Sequence, residues 1–361
     1  SVMGEQVDST RMTYGNYLQL ESLLSLQSGP DGHLPAPCND EMHFIVVHQV
    51  FELWFKLINR ELEEAITLME GKEVSEQDIP TIVHHLERCA ETFRLMAQQW
   101  KVMETLAPQD FLSFRDRLGT SSGFESWQMR SLEMLMGLDP EQRLGGMDPM
   151  EHNRKLNAEG KLSDAIMVEL ERMASRPTLK DVVRGWLVRT PVEGISGDLS
   201  TMTKFAERHL DVMSKHGESV IAHMVSIGHG TEETIRPRIE SGNASAREFL
   251  FPDGEVDAAR AGLLFIESYR ELPLLAWPRR LVDTLVELEE SSLLFRFHHA
   301  RMVERMIGRR VGTGGSSGVD YLDSTTKARI FTDLWQGRSI LVKRDSLDEV
   351  KDSDFYGFTS G

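Results

Sequence analysis

The chain has 361 residues, with 40 basic and 57 acidic side chains and a formal net charge of −17. This balance argues against nucleic acid and anionic membranes as partners, and it leaves any anionic substrate to a local positive group. Hydrophobic content of 40% and charged content of 27% fit a soluble globular protein, and no apolar run approaches the roughly 18 residues needed to span a bilayer. The N-terminal SVMGEQVDST has neither the basic start nor the apolar core of a signal peptide. Two cysteines, Cys38 and Cys89, make no disulfide framework, so a reducing cytoplasm is expected.

Helix signals dominate the chain. Tyr14 to Gln27 carries leucines at 18, 20, 23, 24 and 26, and SGPDGH closes it. A proline-rich loop follows, then a helix capped by Asn39 or Asp40 that runs to about Met69. Ser75 to Asp78 resembles a capping box opening a third helix, which extends to about Leu106 with Pro80 in its first turn. A short helix is expected over Phe111 to Leu118 and another from Phe124 to about Leu138. Residues 139–200 are less periodic: the stretch after Leu138 up to Lys161 reads as loop, with helices at Ser163 to Ser175 and Leu179 to Val188. Thr201 to Ile227 is helical, and Gly228 to Asp253 reads as a polar excursion. Helices resume over Val256 to Glu271 and Leu281 to Ile307, separated by Pro273 and Pro278. Ser324 to Trp335 forms a last helix, and the acidic tail from 346 is expected to be mobile. The expected fold is an all-α bundle forming a single domain over residues 12–345, with a flexible N-terminus before it.

Chemistry-bearing residues stand out against this background. Phe44, His48, Phe51 and Phe55 share one helix face, so His48 loses water and needs a partner. A core histidine bonded to a backbone carbonyl would satisfy the same pattern. His298 and His299 lie in the apolar helix LLFRFHHARMVERMIG; neighbours on a helix point about a hundred degrees apart, so only one can face a given cavity. A neutral imidazole in such a place suits haem iron. GTGGSSG (Gly312 to Gly318) is a glycine-rich loop able to close over a ligand, or a passive linker; it lacks the lysine of a phosphate loop. Arg115 sits among Phe111, Phe114 and Phe124 with a forked donor ready for a carboxylate, while Arg117 is expected in solvent. His84 and His85 read as surface residues. No CxxCH, GxSxG or HExxH occurs.

Four long segments in order resemble the tryptophan 2,3-dioxygenase family: TYGNYLQLESLLSLQ, NDEMHFIVVHQVFELWFK, DFLSFRDRLGTSSGFESWQMR and HHARMVERMIGRRVGTGGSSG, with a late FTDLW. The resemblance implies a helical bundle holding non-covalent haem b, a homotetramer, and dioxygen as co-substrate. It implies His299 as the axial ligand of the iron and His48 as the distal histidine near the indole N–H. Arg115 would bind the substrate carboxylate and Thr313 its ammonium and carboxylate. Phe44, Phe111 and Ser122 would line the pocket and the haem surroundings, and Tyr14, Tyr17 and Leu18 would complete a neighbouring subunit's site. The implied reaction is cleavage of the indole 2,3-bond of L-tryptophan to N-formylkynurenine, with His48 orienting substrate more than removing a proton. Asn39, His43, Phe51 and Glu125 depart from the family pattern. These departures leave room for a monooxygenase giving an oxindole from a modified tryptophan, and a haem-based sensor without turnover is a further reading from a different class. His43 is expected to face solvent.

Overall fold

Apolar residues at three- and four-residue steps drive the long helices that organise the molecule. The computed structural model describes residues 12–29, 36–119, 121–142, 148–308, 310 and 318–357. The N-terminal segment contains α1 (Tyr14–Leu18) and α2 (Leu20–Leu23). The central layer consists of α3 (Asn39–Met69), α4 (Ile79–Met103) and, far along the chain, α13 (Ala276–Ile307), with α4 packed against both others. On α3 the buried set Val47, Phe51, Phe55, Ile58, Leu62, Ile66 and Met69 forms one stripe, and on α4 Ile82, Leu86, Cys89, Phe93, Met96 and Trp100 form its counterpart. Between these long helices come α5 (Pro108–Arg115), α6 (Trp127–Met136), α7 (Pro149–Ala158), α8 (Asp164–Ala174) and α9 (Leu179–Val188). A hairpin of β1 (Pro191–Val192) and β2 (Ile195–Ser196) follows, then α10 (Leu199–Ser226), α11 (Glu232–Leu250) and α12 (Ala258–Ser268). After α13 come α14 (Val319–Thr325) and α15 (Thr332–Ser339). The all-α expectation holds.

Several boundaries differ from the sequence reading, each for a local reason. The first helix breaks at Gln19, which turns left-handed (φ 51°) and directs its N–H to the carbonyls of Gly15 and Asn16. Asn39 is the first helical residue of α3 and not its cap. The stretch read as loop after Leu138 contains α7, whose cap Asp148 accepts from the Met150 N–H at 2.9 Å. The polar excursion at 228–253 is largely α11, an exposed helix packed on α10 whose Arg236 bonds Glu218 and Glu232. Pro278 lies in the first turn of α13, where a missing N–H costs nothing.

The expected helix from Ser324 to Trp335 is interrupted, and a buried carboxylate explains the break. Glu289 of α13 is 1% exposed and accepts from the backbone N–H groups of Ile330 and Phe331, the latter at 3.1 Å, and from the Trp335 indole. Those N–H groups serve the carboxylate instead of a continuous helix. Glu289→Leu is expected to cost about 3–5 kcal/mol of stability, because two buried backbone donors and the partly buried Trp335 indole lose their acceptor together. A urea midpoint equal to that of the parent would mean those donors have other partners.

The tail also departs from expectation. Tyr356 is fully buried; its hydroxyl donates to the Pro191 carbonyl and accepts from the Gly194 N–H at 2.8 Å. The acidic segment is thus docked on the hairpin through Gly357, because one aromatic anchor outweighs its polar composition.

Candidate functional site

His48 and His299, brought in by α3 and α13, line the same largely apolar cavity. Its empty volume is about 1170 Å³, counting the mouth. Phe44 joins His48 on the α3 wall. The α5 helix adds Phe111 and Arg115, and Ser122 lines the loop beyond it. The floor is α13, with Arg296, His299, Met302 and Met306, while Tyr321, Leu322 and Thr325 of α14 close another side. A larger cavity of about 1950 Å³, between α9 and the docked tail, contains no histidine and none of the residues picked out from the sequence.

His48 donates from Nδ1 to the Phe44 carbonyl at 2.8 Å, which leaves Nε2 as an acceptor. Burial pushes its pKa below the ordinary value against the opposing pull of that carbonyl, so the ring is neutral at pH 7. The backbone partner that a core histidine would need is present, and the ring lines the cavity as well. Phe44 tilts over the imidazole at 4.1 Å. On the opposite wall burial lowers the His299 pKa to about 3, so that imidazole is neutral too. Its ring stacks on Trp100 at 4.5 Å with planes 2° apart. Among the described residues neither ring nitrogen of His299 has a hydrogen-bond partner. His298 meets the edge of Phe297 and does not line the cavity. Of the two adjacent histidines, His299 is the one that faces the cavity.

A ladder of rings connects the two histidines: His48 to Phe51 at 6.5 Å, Phe51 to Trp100 at 4.2 Å, and Trp100 to His299. Phe111 and Phe114 complete the aromatic side around Phe44. Ser122 accepts from the Phe124 N–H at 3.3 Å, fixing the loop that reaches the cavity. Arg115 is half-buried and reaches the cavity from the last turn of α5. Arg117 is not solvated as expected; it pairs with the buried Glu41 at 2.9 Å.

Other expected residues lie elsewhere. Tyr14, Tyr17 and Leu18 sit on α1, are 76%, 73% and 41% exposed, and do not line this cavity. Thr313 and the Gly312 to Ser317 stretch lie outside the described residues. His43 does not face solvent: it is half-buried, with a shielded Nε2 that lacks a partner. His85 is not a free surface residue either, since it bonds Glu61 at 2.6 Å.

Known proteins resemble this chain along most of its length. A family described as tryptophan 2,3-dioxygenase matches residues 3–341. The chain belongs to the tryptophan 2,3-dioxygenase family. A tryptophan 2,3-dioxygenase of Sorangium cellulosum is 41% identical, covering 96% of this chain and 87% of the relative. Tryptophan 2,3-dioxygenase 2 of Ralstonia nicotianae is 40% identical over 96% of this chain and 98% of its own length. A tryptophan 2,3-dioxygenase of Aedes aegypti is 33% identical, covering 93% of this chain and 86% of the relative.

Sequence reasoning missed three charged residues of this cavity in the tryptophan 2,3-dioxygenase family chain. Arg130, Glu133 and Arg296 are 5%, 4% and 7% exposed, and all three line the cavity. Arg130 bonds Glu133 at 2.9 Å and Arg296 approaches it at 3.4 Å. Their signal was available: Arg130 and Glu133 stand three apart among the apolar residues Met129, Leu132, Met134 and Leu135, and Arg296 stands three before His299 on the same face.

Proposed function

We propose that the chain cleaves the indole ring of L-tryptophan with dioxygen, giving N-formylkynurenine, and that it uses haem b to do so. The observation that carries this reading is the placing of two neutral imidazoles and Arg115 around one apolar cavity. The cavity suits a tetrapyrrole: His299 offers an unpartnered nitrogen, Met302 and Met306 give soft apolar contact, and buried arginines offer charge for carboxylates. When bound, haem b supplies the oxygen activation that no side chain can.

His299 would hold the iron. The Nε2 of His48 would accept a hydrogen bond from the indole N–H, orienting the ring, and its low pKa keeps that acceptor unprotonated at neutral pH. Phe44 and Phe111 would form the aromatic slot, with Ser122 at its edge. Arg115 would take the substrate carboxylate, and Thr313 would contribute to binding the ammonium and carboxylate. Exclusion of water from the cavity strengthens each of these contacts.

We propose a homotetramer in which Tyr14, Tyr17 and Leu18 cover a neighbouring subunit's site; their exposure on α1 leaves apolar surface that calls for a partner. We also propose one domain, supported by a main apolar core whose members range from Val47 to Tyr356, with a small satellite cluster around Met150 and Leu170. A cytoplasmic setting without nucleic-acid or membrane partners is the expected environment; Cys38 and Cys89 are free. Among the described residues no helix is long and apolar enough to cross a membrane.

The names of the relatives support two-atom insertion over the one-atom reaction on a modified tryptophan and over a sensor without turnover. Reduced, haem-loaded protein incubated with L-tryptophan under labelled dioxygen tests this. Two labelled atoms in the product are expected. One labelled atom, or turnover confined to a substituted tryptophan, would favour the monooxygenase, and no product at all would favour the sensor.

A further inference from the structure

Arg130 and Arg296 are buried cations in an apolar cavity, and they share a single buried carboxylate, Glu133. Burying a charge is costly unless it is paired and hydrogen-bonded. The sharing here is uneven. Arg130 makes its 2.9 Å ion pair through Nη1, while its Nε, shielded from water, has no partner. Arg296 reaches Glu133 only at 3.4 Å, and its other amino group donates to the Thr325 carbonyl at 3.3 Å. Two guanidiniums and one carboxylate leave the triad with one net positive charge, facing the same cavity as His299. A second anion supplied by the occupant would complete it. The zwitterion of an amino acid carries no net charge, and the reading above gives its carboxylate to Arg115. A tetrapyrrole bound through His299 brings carboxylates of its own, and Arg296 lies one helical turn before that ligand on α13.

We propose that Arg130 and Arg296 form the seat for a carboxylate of the bound tetrapyrrole, with Glu133 holding the two guanidiniums in register. This rests on the haem reading above. The arrangement uses the planar fork of arginine, which presents parallel donors to a carboxylate. It also links three walls of the cavity. Arg130 and Glu133 come from α6, Arg296 from α13, and the Thr325 carbonyl from the end of α14. Arg130 and Arg296 are positioning residues for the cofactor; neither is placed on the indole.

The test is titration of the full-length apoprotein with haem and with haem dimethyl ester, whose side-chain carboxylates are capped. The parent is expected to prefer the free acid by roughly ten-fold or more, the scale of a charge-assisted hydrogen bond. In Arg130→Met/Glu133→Gln, which removes a cation and an anion together, that preference should fall by about ten-fold, as it should in Arg296→Met. Arg130→Lys should retain part of it. If the parent binds haem but does not distinguish acid from ester, the seat is overturned while the haem reading stands. The same holds if the folded variants distinguish the two as strongly as the parent. If the parent binds neither, the haem reading itself fails. A weaker response to tryptophan with an unchanged acid-to-ester ratio would move Arg130 to the substrate and overturn the seat.

Discussion

His299→Ala is expected to purify without haem, its Soret absorbance per chain falling to background, while His298→Ala retains nearly the full cofactor complement. The two residues are adjacent and of the same type, so composition and gross stability are matched between the variants. What separates them is direction. His299 lines the cavity, stacks on Trp100 and is neutral, with no proton to displace at pH 7; His298 lies against Phe297 outside the cavity. Removing the His299 ring leaves an imidazole-sized gap beside Trp100 without adding a charge or a clash. Free imidazole at millimolar concentration should therefore enter and restore part of the haem spectrum in His299→Ala. Equal haem loss from both variants, or no rescue by imidazole, would sink the ligand assignment.

The contrast between those histidines marks the limit of the sequence reading. Periodicity placed both on one apolar helix, and a helical step of about a hundred degrees required them to diverge. Nothing in the residue pattern alone could say which one faced the cavity; that depended on where α4 delivers Trp100. Resemblance named His299 as the ligand, and His299 is the one of the pair that lines the cavity and stacks on Trp100. The long helices were legible because their stripes run for many turns, as on α3 and α4. The misjudged regions are those where tertiary contacts override local pattern. Glu289 draws the Ile330 and Phe331 N–H groups out of a helix that their sequence alone would support. Tyr356 docks a tail whose acidic composition suggests mobility. The Arg130, Glu133 and Arg296 triad escaped notice because charged residues on helices are read as solvated by default. Here three helices converge to bury them.

Arg115→Leu is expected to weaken L-tryptophan binding by roughly 10- to 100-fold, the loss that follows when a buried charge-assisted hydrogen bond worth about 1.5–3 kcal/mol is removed. Arg115 is the cation at the end of α5 that reaches the cavity, whereas Arg117 pairs with Glu41. Arg117→Met therefore serves as the comparison: it strips one charge from the same segment and should weaken tryptophan binding far less. The ligand supplies a second comparison. Tryptamine retains the indole and the ammonium and lacks the carboxylate, so its affinity should respond little to Arg115→Leu. The spectral change of the haem-loaded protein on ligand addition gives both affinities in one experiment. A parallel loss for tryptophan and tryptamine would mean that Arg115 shapes the pocket without touching the carboxylate. An unchanged tryptophan affinity would remove Arg115 from the substrate site. A loss confined to tryptophan would fix the substrate's polar end at α5, leaving its indole between Phe44 and Phe111 within reach of the His48 Nε2.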